Sequence, residues 1–209
     1  MIPRIKISVL SLLALAAIGA VSASAAQATG EFTAGKYPAT ITGTQLNNHV
    51  FKFEGASITC PTATFDATLA AASSELTVNP KFSECKTNNG NAASVEMTTC
   101  DFQFNVGSTT AMDKIDGWLD IECGAGDHID FVVPSSGCKF EIGPQNLAGI
   151  TYTDNTMAED FDIDIFQNGI TYKQNASCPG GAHMGFAEYT GKFTVKADYE
   201  AEEVSTTVD

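Results

Sequence analysis

The side chains able to do chemistry are few and widely spaced. Three histidines, His49, His128 and His183, fall in different regions of the chain. His183 lies in Pro179-Gly180-Gly181-Ala182-His183-Met184-Gly185. A glycine-rich loop exposes its side chains, so His183 is the best single candidate for ligand binding, with an ordinary loop histidine as the simpler alternative. No G-x-S-x-G elbow supplies a nucleophile for a serine hydrolase. No H-E-x-x-H pair or Cys/His spacing supplies a zinc site. No catalytic residue and no cofactor motif emerges.

Two further patterns carry chemistry. The ladder Asp160, Asp162 and Asp164, preceded by Glu159, offers oxygen ligands to calcium. Calcium takes six to eight oxygens, and alternate residues of a strand lie about 6.7 Å apart, so a neighbouring loop would have to complete the shell. A solvated acidic face explains the same ladder. In Asp116-Gly117-Trp118-Leu119-Asp120-Ile121-Glu122-Cys123, Leu119, Ile121 and Cys123 share one face. Trp118 then stands with the acids on the opposite face, where an aromatic is a stacking platform for sugars or a partner chain. The competing readings are that a second sheet or a loop covers it, or that a bulge resets the parity.

The elements that position these residues are strands. Phe51 and Phe53 alternate with Lys52 and Glu54, and Ala63, Phe65, Ala67 and Leu69 oppose Thr64, Asp66 and Thr68. Leu76, Val78 and Pro80 follow the same pattern. Phe161, Ile163 and Ile165 interleave with the acidic ladder, and Phe193, Val195, Ala197 and Tyr199 oppose Lys192, Thr194, Lys196 and Asp198. Repeated period-two alternation marks half-buried strands. The alanines between Thr68 and Ser74 come closest to a helical turn. Asn168-Gly169 predicts a two-residue hairpin, because both residues tolerate positive φ. A slip of parity at Thr98-Thr99 predicts a bulge or a strand end. Glycine-, proline- and asparagine-rich loops separate the runs, which predicts one all-β domain, an antiparallel sandwich or barrel. Only the acidic tail, 200–209, is ambiguous between a frayed end and a last strand anchored by Val204 and Val208.

The N-terminus reads as a secretory signal peptide. Arg4 and Lys6 precede an apolar stretch from Ile7 to Val21, and small residues follow, with cleavage expected after Ala25 or Ala28. The apolar run is shorter than the roughly 20 residues of a membrane span. Removing residues 1–28 takes away the only arginine and leaves nine lysines against 25 Asp and Glu, a formal charge near −16. Nucleic acid is excluded as a partner, since its binding rests on Lys and Arg neutralising phosphates. Bidentate clamping of phosphate or carboxylate by a guanidinium is excluded too.

Six cysteines, Cys60, Cys85, Cys100, Cys123, Cys138 and Cys178, predict three disulfides in an exported chain. Their parity places most of them on core faces. Loop economy pairs Cys60 with Cys85 and Cys123 with Cys138, leaving Cys100 for Cys178.

Several runs carry a resemblance: Phe32-Thr33-Ala34, Tyr37-Pro38-Ala39-Thr40-Ile41, Cys60-Pro61-Thr62-Ala63-Thr64-Phe65, Ile142-Gly143-Pro144-Gln145-Asn146-Leu147 and Tyr189-Thr190-Gly191-Lys192-Phe193-Thr194-Val195. Together they resemble small exported, β-rich, six-cysteine proteins of actinobacteria. The resemblance implies secretion and a β fold, and it transfers no catalytic residue. Three functions fit: a secreted, non-catalytic binding domain for a glycan or an envelope protein, a structural envelope protein without a small-ligand site, and an extracellular hydrolase. The first is the leading expectation.

Overall fold

The computed structural model describes residues 30–111, 113–155 and 157–209. The stretch expected to be a signal peptide, with Ala25 and Ala28, lies outside them. Among the described residues eighteen strands and no helix form. The first nine are β1 (Phe32–Ala34), β2 (Ala39–Gln45), β3 (His49–Phe53), β4 (Ala56–Cys60), β5 (Thr62–Leu69), β6 (Glu75–Val78), β7 (Lys81–Ser83), β8 (Lys86–Thr87) and β9 (Ser94–Glu96). They are followed by β10 (Asp101–Ala111), β11 (Lys114–Glu122), β12 (Ile129–Val133), β13 (Cys138–Ile142) and β14 (Gln145–Asn155). The last four are β15 (Asp160–Gln174), β16 (His183–Tyr199), β17 (Glu202–Val204) and β18 (Thr206–Val208). The alanines after Leu69 make bends, and Ser73 bridges to Phe32, so no helical turn forms there.

The spine is the long antiparallel hairpin β15–β16, and two strand paths run through it. One has the order β6-β10-β11-β14-β15-β16-β2-β5-β7. Its ends, β6 and β7, are consecutive in the chain, yet no ladder joins them, so the sheet is sandwich-like and not a closed barrel. The other path runs β9-β12-β13-β15-β16-β3-β4-β8. All pairings are antiparallel, as short turns between alternating strands require.

Asn168-Gly169 is not a hairpin turn. Both of its flanks pair with β16, Gln167 with Tyr189 and Ile170 with Ala187, so two residues oppose Glu188 alone. This is a β-bulge with Gly169 at φ 75°. The extra residue flips the inward parity of β15. Phe161, Ile163, Ile165 and Gln167 point inward before it, and Ile170, Tyr172 and Gln174 after it. One strand thereby serves both paths. At Thr98-Thr99 the expected irregularity is a strand end, with Thr98 at φ 55° in the turn before β10.

The inward residues of the two paths form one core rich in phenylalanine. Phe51 stacks on Tyr189 at 4.3 Å, Phe53 stacks on Phe140 at 4.1 Å, and Phe65 meets Phe193 edge-on at 5.0 Å. Each such pair contributes about 0.5–1.5 kcal/mol beyond its buried area. The void bounded by Phe51, Leu119, Phe131 and Tyr189 holds about 10 Å³, too little for a ligand, so the core is closely packed there. The tail is anchored: β17 adds to β16, β18 pairs with β1, and Val208 is buried.

Three disulfides staple this core. Cys60 is bonded to Cys85. The other two bonds are Cys100–Cys123 and Cys138–Cys178, in place of the expected Cys123–Cys138 and Cys100–Cys178. Loop economy weighs only distance along the chain. Register decides instead: Asp101 pairs with Glu122, which sets Cys100 and Cys123 side by side at the end of the β10–β11 ladder. Phe140 pairs with Gln174, which brings Cys138 beside the loop that carries Cys178.

Candidate functional site

Polar side chains converge on the outer face of the β12–β13 hairpin. Ile129, Phe131, Val133, Cys138, Phe140 and Ile142 turn into the core, which leaves Asp130, Lys139 and Glu141 pointing outward. Asp130 pairs directly with Glu141 across the ladder. Two carboxylates in that position repel each other unless a cation intervenes. Lys139, two residues before Glu141 and on its face, supplies one. Its Nζ lies 2.7 Å from Asp130 Oδ2 and 3.0 Å from Glu141 Oε1. These bonds, the one to Asp130 foremost, raise the lysine pKa, and the Lys139 hydrogen bond holds the Glu141 carboxyl below its usual value.

His128, two residues before Asp130, joins the same face. Its Nε2 is 3.0 Å from Asp130 Oδ1 and 3.2 Å from Glu141 Oε1. The geometry is off-line for a hydrogen bond, and Asp130 Oδ1 is a buried acceptor without a donor. Glu141 in turn pairs with Lys173 of β15, and Lys173 with Met184 of β16. A single cross-strand row therefore runs Asp130, Glu141, Lys173, Met184. Beside it opens a cleft of about 280 Å³ lined by Asp127, His128, Glu141, Thr171, Lys173 and Met184. Carboxylates, an ammonium, a hydroxyl and a thioether thus face one small volume, as in a site for a polar ligand with one apolar side.

The residues singled out by sequence are dispersed. His183 opens β16 at the rim of the Cys178 loop, with Nε2 3.2 Å from Glu54 Oε2 and Nδ1 3.1 Å from the Gly181 carbonyl. That loop is pinned from within, since Gln174 Nε2 donates to the carbonyls of Pro179 and Gly181, each at 2.7 Å. Trp118 stands on the outer face as the parity predicts, half-buried, opposite Asn105. Asn105 is buried and donates to Asp120 at 3.0 Å, so this part of the outer face is closely packed. In the ladder, Asp162 accepts from Thr194 at 2.8 Å and pairs with Lys192 at 2.9 Å, while Asp160 accepts from Asn155 at 2.9 Å. Asp164 is exposed. Two of the three carboxylates are thus engaged by protein donors.

His49 is a core residue. It is fully buried, 4.3 Å from the Phe193 ring, with Nδ1 2.8 Å from the Tyr189 hydroxyl and Nε2 without a hydrogen-bond partner. Burial lowers its pKa to about 4, against a weaker pull from the Lys192 backbone. It is therefore neutral at pH 7.

Sequence motifs do not pick out His128, Asp130, Lys139 and Glu141. The available signal was H-x-D and K-x-E on either side of the turn Pro134-Ser135-Ser136-Gly137, where alternate residues of paired strands share a face. No family model matches the chain, and neither a curated protein nor a solved structure is significantly similar to it. Among the described residues no helix is long and apolar enough to cross a membrane.

Proposed function

We propose that this chain is exported and acts outside the cell as a non-catalytic glycan-binding domain, taking its ligand in the cleft beside the β12–β13 hairpin. The observation that carries this reading is the row Glu141, Lys173, Met184 along that cleft, which Asp127 also lines. Carboxylates accept from sugar hydroxyls, the Lys173 ammonium donates to sugar oxygens, the Thr171 hydroxyl, which itself donates to Gln145 at 3.3 Å, accepts from a sugar hydroxyl, and Met184 offers a soft apolar wall. Three disulfides support an oxidising compartment, in line with the signal-peptide pattern at the N-terminus.

The test is a glycan array and a pull-down on cell-wall polysaccharide with the oxidised chain. Lys173→Ala and Thr171→Ala should lose the captured glycan, while Trp118→Ala should keep it. Binding that survives both cleft variants and disappears with Trp118 would move the site to the outer face of β11. No glycan capture at all would favour the structural envelope reading. N-terminal sequencing of the secreted product should place the cut after Ala25 or Ala28.

A further inference from the structure

We infer that His128, Asp130 and Glu141 form a binding site for a divalent transition-metal ion of the zinc class. One ligand atom from each residue lies within 4.8 Å of the others, the one such group of three among the described residues. Two edges of that triangle, 3.0 and 3.2 Å, start from His128 Nε2. Ligands at zinc bond lengths around a tetrahedral ion lie roughly 3.4 Å apart, so small side-chain adjustments suffice. One imidazole nitrogen with two carboxylate oxygens suits zinc, cobalt or manganese, whereas calcium calls for an all-oxygen shell of six or more.

Two further observations point to a cation at this place. Asp130 Oδ1 is buried without a hydrogen-bond partner, although His128 Nε2 lies 3.0 Å from it, so the pair is in ligand-to-ligand contact and not bonded. The Lys139 ammonium bridges the same carboxylates, so a positive charge already sits between them. An incoming ion replaces that charge, and Lys139, whose side chain is about one-third exposed, has solvent to swing into. The carrier strands are held by the core, which keeps the ligands in place on β12 and β13. Three protein ligands leave a fourth position to a small molecule, and the cleft that His128 and Glu141 also line is where a hydroxyl or carboxylate oxygen of a bound molecule would reach it. The inference thus deepens the reading of the cleft as a ligand site and rests on it.

The oxidised chain, stripped with EDTA, is titrated calorimetrically with Zn²⁺, with Ca²⁺ and Mg²⁺ reporting general attraction to the acidic surface. One saturable zinc equivalent is expected. His128→Ala and Glu141→Gln should each weaken it at least tenfold, and Lys139→Met should tighten it by roughly tenfold, because the competing ammonium is gone. A structural ion-pair role for Lys139 predicts no such gain. Zinc affinity unchanged in both His128→Ala and Lys139→Met overturns the site, as does the absence of saturable binding in the folded wild-type chain. The glycan reading is decided separately. Glycan capture that persists in EDTA by a chain without a zinc equivalent overturns the metal site alone, and zinc binding by a chain that captures no glycan overturns the glycan reading alone.

Discussion

Lowering the pH from neutral to 5 should weaken this fold through His49, a histidine held without charge in the aromatic core. Its folded-state pKa, about 4, lies below the ordinary 6.5, so between those values the unfolded chain binds more protons than the folded one. The contribution of neutral His49 is fully present above 6.5 and is lost as the pH falls towards 4. Each pKa unit corresponds to about 1.4 kcal/mol, which makes the loss about 2 kcal/mol at pH 5 and about 3 kcal/mol at pH 4. The assay is urea unfolding of the oxidised chain across this range, beside His49→Phe, which removes the titration. With a urea slope of about 2 kcal/mol/M, the wild-type midpoint should fall about 1 M further than that of the variant between pH 7 and 5. The comparison cancels the carboxylates, which titrate in both proteins. The variant also leaves the Tyr189 hydroxyl without its partner, so its absolute stability is lower and only the slope is diagnostic. Parallel pH profiles would refute the reasoning, because they would mean that water or a rearranged core solvates the imidazolium.

Other perturbations probe the fold. Non-reducing peptide mapping should recover Cys100–Cys123 and Cys138–Cys178 fragments, and a Cys123–Cys138 fragment would contradict the registers of the β10–β11 and β13–β15 ladders. Removing Cys138–Cys178, which closes a 40-residue separation, should cost roughly 4 kcal/mol by the chain-entropy relation, measured as a denaturation midpoint. Gly43→Ala would drive a methyl group to within 2.1 Å of the Phe65 ring and should destabilise by about 1–3 kcal/mol. Gly169→Ala meets no atom but forces a side chain into positive φ at the bulge, for a loss of about 1–2 kcal/mol in the same assay. Trp118 emission should be partly quenchable in the native state and should move to the red on unfolding, and a fully quencher-resistant signal would place the ring inside the core.

The sequence by itself determined the all-β class, and the alternation that marks strands and their buried faces at Phe51–Phe53, Ala63–Leu69, Leu76–Val78, Phe161–Ile165 and Phe193–Tyr199. These are local properties, because a period of two along the chain is set by backbone geometry and by the type of each residue. It also identified all six cysteines as bridge partners and Cys60–Cys85 as one pair. It placed Trp118 on the outer face. Only the tertiary structure decided the other two bridges, the bulge at Asn168-Gly169 and the meeting of His128, Asp130, Lys139 and Glu141. An Asn-Gly pair satisfies a hairpin and a bulge equally well, and the choice fell to whether Ile163 and Ile165 find partners on β16 or on their own chain's next segment. The cysteine pairs and the polar cluster likewise depend on register between strands. Register is fixed by how the aromatic core closes around the β15–β16 spine, and no single strand carries that information.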